Sequence, residues 1–298
     1  AINLNPNNPY VYNNLSKTYF DLGIVEEAKD NSFNALKIKP EYAEAAFNLA
    51  ATTNNVSDAK FWIKDCLRRN PQYLNAILHD SAIAMFEGDD AKYINLLESS
   101  LEKHPFTRSL TWVFELPKLP KLCFDRWAFF DNVIDLCTDD RPFYEFGVWR
   151  GKSFEYLIQK LGCGFGFDTF TGLPEDWHRE KLGSYSSEGT IPQIAGGEFI
   201  VGKFENSLPN FFSRKRPLAS LINFDADLYS STICALNWAS SVIDQNTILI
   251  FDEFLINPNW ENDEYKALEE FCLQNNYKYE VLAVSFFSKQ VAVRLISI

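Results

Sequence analysis

In the C-terminal half of this 298-residue chain, short apolar runs end in acids: Glu145, Asp168, Asp225, and Asp252 followed by Glu253. Acids at the ends of buried strands stand where open α/β sheets bind ligands, so these positions come first. The first run leads into Glu145-Phe-Gly147-Val-Trp149-Arg-Gly151-Lys-Ser153. Gly147 and Gly151 let the backbone approach a ligand closely, the helix that follows offers free N–H groups, and Ser153 can cap it or meet a carboxylate. The bulky Val-Trp-Arg between the glycines is not the G-x-G-x-x-G loop that holds a dinucleotide pyrophosphate, and Glu145 suits a cationic or zwitterionic ligand. Asp168 follows Glu145 by 23 residues, a spacing at which a carboxylate accepts both hydroxyls of a ribose. An adenosine-type ligand is the joint implication.

The elements that must position these acids alternate. Residues 143–147, 163–168, 198–202, 218–225 and 247–252 read as buried strands, and 152–161, 205–212, 230–243 and 262–275 as the helices between them. Such alternation implies a doubly wound, Rossmann-like parallel sheet. Residues 277–284 and 290–296, joined tightly by Ser-Phe-Phe-Ser-Lys, read as an antiparallel terminal hairpin. The long stretch from Thr169 to Glu198 has little periodicity and reads as a lid over a substrate, in which Trp177 and His178 are loop residues.

A sheet closed by such a hairpin resembles the class I methyltransferase fold. The motifs carry the resemblance further. Glu145-Phe-Gly-Val-Trp-Arg-Gly, Gly166-Phe-Asp168-Thr-Phe-Thr-Gly-Leu-Pro-Glu, Gly202-Lys-Phe-Glu-Asn-Ser-Leu-Pro, Phe224-Asp225-Ala-Asp227-Leu-Tyr229 and Ile250-Phe-Asp252-Glu253 follow one another in order. Over residues 123–298 this series resembles the macrocin O-methyltransferase (TylF-like) family of S-adenosylmethionine-dependent enzymes. The resemblance implies that Glu145, Gly147, Gly151 and Ser153 form the S-adenosylmethionine loop and that Asp168 binds the ribose. It also implies that Asp225, Asp252 and Glu253 hold Mg²⁺, that Asp227 is the general base, and that the acceptor is a sugar or other small hydroxyl compound. Metal-dependent members often have Asp where this chain has Glu253, which moves the oxygen by about one methylene and leaves the metal requirement open. The physics agrees in outline: three converging carboxylates repel one another unless a hard cation neutralises them, and oxygen ligands favour Mg²⁺. A hydroxyl beside that ion becomes more acidic, and Asp227 can remove its proton. Tyr229 reads as a brace for this strand end.

The N-terminal third repeats. Pro6, Pro40, Pro71 and Pro105 are spaced by 34, 31 and 34 residues, and Tyr12, Leu15, Tyr19, Gly23, Ala28, Ala35 and Pro40 fit the tetratricopeptide (TPR) pattern. Residues 1–105 therefore resemble a TPR solenoid of about three repeats that recruits a protein partner, with regularity decaying toward its C-terminal side. Residues 1–6 fit the end of a preceding repeat, which points to a longer native chain. Residues 106–123, rich in Leu and Pro, read as a connector, and 124–298 as the methyltransferase domain, with Trp127 to Cys137 an amphipathic helix packed on it. His79 and His104 are isolated and read as structural.

Composition bounds the rest. With 46% apolar and 23% charged residues the chain is not disordered, and its net charge of −12 disfavours nucleic acid. Residues 1–105 hold 10 basic and 14 acidic side chains, so −8 falls on the remainder, part of it the strand-end cluster. The absence of a long apolar run and the scattering of six cysteines without a C-x-x-C pair read as a cytoplasmic protein with no membrane span. A TPR scaffold with a non-catalytic methyltransferase-like domain is the second reading, disfavoured by the intact set of motif acids.

Overall fold

The computed structural model describes residues 6–138 and 140–297. Two compact units emerge, one of residues 1–130 with 285–288 and one of residues 131–284 with 289–298. The expected end of an earlier repeat falls mainly on Ala1–Asn5, outside the described residues.

The first unit is helical. Its helices follow in pairs, α1 (Pro9–Asp21) with α2 (Val25–Ile38), α3 (Ala43–Ala51) with α4 (Val56–Arg69) and α5 (Leu74–Phe86) with α6 (Ala91–Leu97). Starts are set locally: Asn8 accepts the Tyr10 N–H at 3.0 Å with Pro9 opening α1, and Asn55 accepts the Asp58 N–H at 2.9 Å. Small side chains let the helices approach, for Ala28, Ala35, Ala45, Ala46, Ala50 and Ala59 are fully buried. Gly23, at φ +71°, is needed where it stands because a Cβ there would lie 2.2 Å from the Trp127 ring, whose Nε1–H donates to the Gly23 carbonyl at 2.5 Å. Pro105–Phe114 forms a further helix, α7, whose proline fits the first turn and whose Phe106, Leu110 and Val113 are buried; Lys121–Cys123 forms a short strand, β1. The helix expected from Trp127 is α8 (Arg126–Ile134), started by Asp125 accepting the Trp127 and Ala128 N–H groups at 2.9 Å.

The second unit is α/β. Its strands are β2 (Phe143–Phe146), β3 (Gly164–Asp168), β4 (Gly197–Val201), β5 (Leu221–Phe224), β6 (Ile248–Phe251), β7 (Tyr277–Ser285) and β8 (Val291–Ser297), in the spatial order β7-β8-β6-β5-β2-β3-β4. Neighbours from β4 to β6 are parallel, whereas β8 runs antiparallel to both β6 and β7. Helices α9 (Lys152–Leu161), α10 (Phe204–Phe212), α11 (Tyr229–Ala239) and α12 (Glu264–Asn275) connect them. This is a doubly wound, Rossmann-like arrangement closed by an antiparallel pair, with its order reversing between β2 and β5.

Register fixes the strand ends. Phe167, Phe146, Phe224 and Phe251 are fully buried and occupy matching positions on β3, β2, β5 and β6. Their rings stack in sequence at 4.7, 5.4 and 5.0 Å between centroids. The residue after each phenylalanine is therefore carried to one row: Asp168, Gly147, Asp225 and Asp252. Backbone bonds continue the ladder by that one residue, from Gly147 to Phe167 at 2.9 Å, Asp225 to Phe146 at 2.8 Å and Asp252 to Phe224 at 3.0 Å.

Candidate functional site

The row lies at the carboxyl ends of parallel strands, where the strand order reverses. Gly147 is the tightest point: at φ +93° its Cβ would lie 1.8 Å from the Asp225 carbonyl oxygen, so no larger residue fits. Beyond it the chain turns through Trp149, itself at φ +51°, into α9. Gly151, at φ +76°, is the N-cap of α9 and no side chain caps it, so Ser153 does not take the capping role open to it; it is buried at the second helical position. The first-turn N–H groups of α9 thus have no side-chain acceptor at the cap.

Asp168 holds this loop. Its Oδ2 accepts the Val148 and Trp149 N–H groups at 2.7 Å each, and its Oδ1 accepts the Phe170 N–H at 2.7 Å. A carboxylate offers about four acceptor sites, and with the Thr169 hydroxyl 3.5 Å from Oδ1 at most one is left for a ligand hydroxyl. Glu145 lies deeper than its place in the motif suggests. It is within β2, fully buried, and its Oε1 accepts the Asn223 Nδ2–H at 2.8 Å from the paired position on β5.

Two of the three acids expected to hold a metal, Asp252 and Glu253, go to separate partners. Asp252 is 3% exposed and its Oδ1 accepts the Gln290 Nε2–H at 2.7 Å. Glu253 Oε2 pairs with Lys289 Nζ at 2.7 Å and accepts the Asn257 Nδ2–H at 2.9 Å. Among the described residues no group of three or more His, Cys, Asp or Glu side chains converges as a metal site. Glu253 therefore does not fit the Mg²⁺ ligand set expected of it with Asp225 and Asp252: a carboxylate already neutralised by an ammonium is a poor ligand for a second cation.

Asp227 sits at φ +61° in the turn before α11, a conformation that aspartate tolerates better than most residues. It is not the helix cap, since Leu228 holds that position and no side chain caps α11. Tyr229 donates to Glu270 Oε2 at 2.5 Å, bracing α11 against α12. The stretch from Thr169 to Glu198, expected to be a lid, is pinned on several sides. Ser230 donates to Glu175 at 2.5 Å, the Trp149 indole donates to the Ser186 carbonyl at 3.3 Å, and His178 Nε2 lies 2.8 Å from Asp263 Oδ2, a structural tie. Leu173 and Trp177 of this stretch bury themselves against Leu228.

Two residues of this neighbourhood escaped the sequence reading. Glu264 opens α12 yet is wholly buried; its Oε2 accepts the Glu253 N–H at 3.1 Å and its Oε1 has no hydrogen-bond partner among the described residues. Burial first, then the charges of Asp227 and Asp252, hold its carboxyl well above the usual range. An acid in a first helical turn is ordinarily a solvated favourable charge, so nothing in the sequence separates it from others. Tyr185, in the lid, packs edge-on against Trp149 at 6.1 Å. Burial, then Asp227, Glu180, Glu253 and Asp225, push its hydroxyl up to about 12, which sets it in the field of the acids.

No family model matches the chain, and no curated protein matches it. Solved structures similar to it include the calicheamicin methyltransferase CalS11, at 19% identity over 75% of this chain and 90% of that one, with a TM-score of 0.44. Others are the O-methyltransferase NovP, at 18% identity over 56% and 76% with a TM-score of 0.42, and a Bacillus cereus O-methyltransferase in complex with SAH, at 16% over 55% and 77% with a TM-score of 0.37. The fold class itself is read from the sheet order of this chain.

Proposed function

We propose that the second unit is an S-adenosylmethionine-dependent O-methyltransferase acting on a hydroxyl of a small acceptor, a sugar or glycoconjugate. The observation that carries this reading is the in-register row of Asp168, Gly147, Asp225 and Asp252 at the point where the strand order reverses. The residues present fit the cofactor: an uncapped α9 N-terminus, a glycine turn beside it, and a carboxylate with acceptor capacity on the next strand. When bound, S-adenosylmethionine supplies an electrophilic methyl group on a cationic sulfur and leaves as a neutral thioether. Asp168 takes one ribose hydroxyl on its remaining acceptor site while keeping the Val148–Trp149 turn in place. Asp227 takes up the acceptor's proton as its oxygen receives the methyl group, and the lid orients the acceptor and excludes water. No step is assigned to Mg²⁺.

For the helical unit, the proline spacing and the pair starts at Pro9, Ala43 and Leu74 support a TPR array that recruits a protein partner. No helix among the described residues is long and apolar enough to cross a membrane. Incubation with methyl-labelled S-adenosylmethionine and a panel of sugars, glycolipids and phenols tests the enzymatic reading. Label should enter a hydroxyl acceptor, whereas a folded protein that neither binds S-adenosylhomocysteine nor transfers label would return the chain to the scaffold reading.

A further inference from the structure

The disagreement between motif and geometry at the end of β6 has a specific form. The motif gives Asp252 and Glu253 to a divalent cation, yet both are served by one dipeptide, Lys289-Gln290, at the entry to β8. The antiparallel pairing of β6 with β8 places Phe251 opposite Val291, so the next residues along, Asp252 and Gln290, meet, with Gln290 Nε2 donating at 2.7 Å. One step further the Leu255 N–H donates to the Lys289 carbonyl at 3.2 Å, holding the lysine backbone, which sits at φ +62°. Lys289 Nζ then reaches Glu253 Oε2 at 2.7 Å and Asn257 Oδ1 at 2.9 Å, while Asn257 Nδ2 donates to the same Glu253 oxygen at 2.9 Å. The three side chains form a closed triangle. The lysine and glutamate side chains are 35% and 21% exposed, so the pair is partly desolvated and is screened less than a surface pair.

We propose that Lys289 is the resident cation of this site: its ammonium neutralises Glu253, and methyl transfer to the hydroxyl acceptor proceeds here without a divalent ion. The proposal rests on the methyltransferase reading. Glu253 carries one methylene more than Asp, which lets its carboxylate reach away from the strand end to the hairpin lysine. A divalent ion placed among Asp225, Asp252 and Glu253 would have to displace this ammonium or face it as a like charge. Lys289 is thus a positioning residue, acting through Glu253 on the charge that surrounds the acceptor.

The test titrates Mn²⁺ into the full chain and follows free ion by electron paramagnetic resonance, with calorimetry of S-adenosylhomocysteine on the same samples. Wild type should leave Mn²⁺ free up to about 1 mM, Lys289→Met should bind it at least about tenfold more tightly, and Lys289→Arg should behave as wild type. A merely structural lysine would not produce that order. Stoichiometric Mn²⁺ binding by wild type that is lost in Asp252→Ala would overturn the proposal, and so would Mn²⁺ remaining free of a folded Lys289→Met protein. Should Lys289→Met not fold, Glu253→Gln, which leaves the ammonium without its counter-charge, replaces it: tighter Mn²⁺ binding than wild type in that variant overturns the proposal, and continued exclusion supports it. Failure of S-adenosylhomocysteine to bind would instead strike the methyltransferase reading, leaving the Mn²⁺ result to be read separately.

Discussion

Asp168 Oδ2 accepts the Val148 N–H at 2.7 Å, tying the end of β3 to the turn that follows β2. One carboxylate thereby shapes the loop next to α9 and faces the position assigned to the ribose. Asp168→Ala removes both functions. The variant should lose about 1 to 3 kcal/mol of stability, from the charged hydrogen bonds to Val148, Trp149 and Phe170, and about tenfold or more in affinity for S-adenosylhomocysteine. Urea unfolding and calorimetry read the two losses. Unchanged affinity would remove Asp168 from the cofactor site.

Gly147→Ala puts a Cβ 1.8 Å from the Asp225 carbonyl oxygen at a φ of +93°. Because the obstacle is backbone on the neighbouring strand, relief requires β2 and β5 to part and the row to break. A destabilisation above about 3 kcal/mol is expected in urea unfolding, with loss of cofactor binding.

Asp227→Asn retains shape and the tolerance for a left-handed backbone while removing the base. The expected result is a fall in kcat of about 10²-fold to 10⁴-fold, with S-adenosylhomocysteine affinity within about twofold of wild type. Steady-state kinetics on the acceptor found in the label screen check it, and a kcat close to wild type would show that the proton leaves elsewhere.

His79, within the helical unit, is buried among Phe47, Phe106 and Phe287, at 5.2, 4.8 and 4.1 Å between ring centroids. Its Nδ1 lies 2.7 Å from the Asn75 carbonyl, which can only accept, so Nδ1 carries the proton. Burial pushes its pKa down to about 4. A folded-state pKa below the unfolded value gives stability that is full above about pH 6.5 and is lost as pH falls toward 4. Stability should drop by a few kcal/mol, roughly, across that window in the wild type, and much less in His79→Phe, when urea midpoints are compared from neutral to acid pH.

Much of this was legible in the residues. The strand-end acids were found because a buried parallel strand must be a short apolar run, and its last residue is where polarity returns: Phe167-Asp168, Phe224-Asp225 and Phe251-Asp252 announce themselves. The α7 helix was hidden because its Pro105 fits the spacing that closes a repeat and the Leu-Pro stretch after it resembles a connector, although a proline in the first turn favours a helix. The partners of the acids could not be read at all. Lys289 and Glu253, Gln290 and Asp252, and Asn223 and Glu145 meet only through sheet register, and Glu264 differs from other first-turn acids only in what the fold places around it. Metal ligation was expected from residue type and spacing; which carboxylate already has a cation beside it is a tertiary fact.

The most direct measurement is calorimetric titration of the wild-type chain with S-adenosylhomocysteine in buffer containing EDTA. The account predicts saturable binding of one ligand per chain, undiminished by the chelator and weakened about tenfold or more by Asp168→Ala. A folded protein that shows no binding with or without added Mg²⁺ would contradict it.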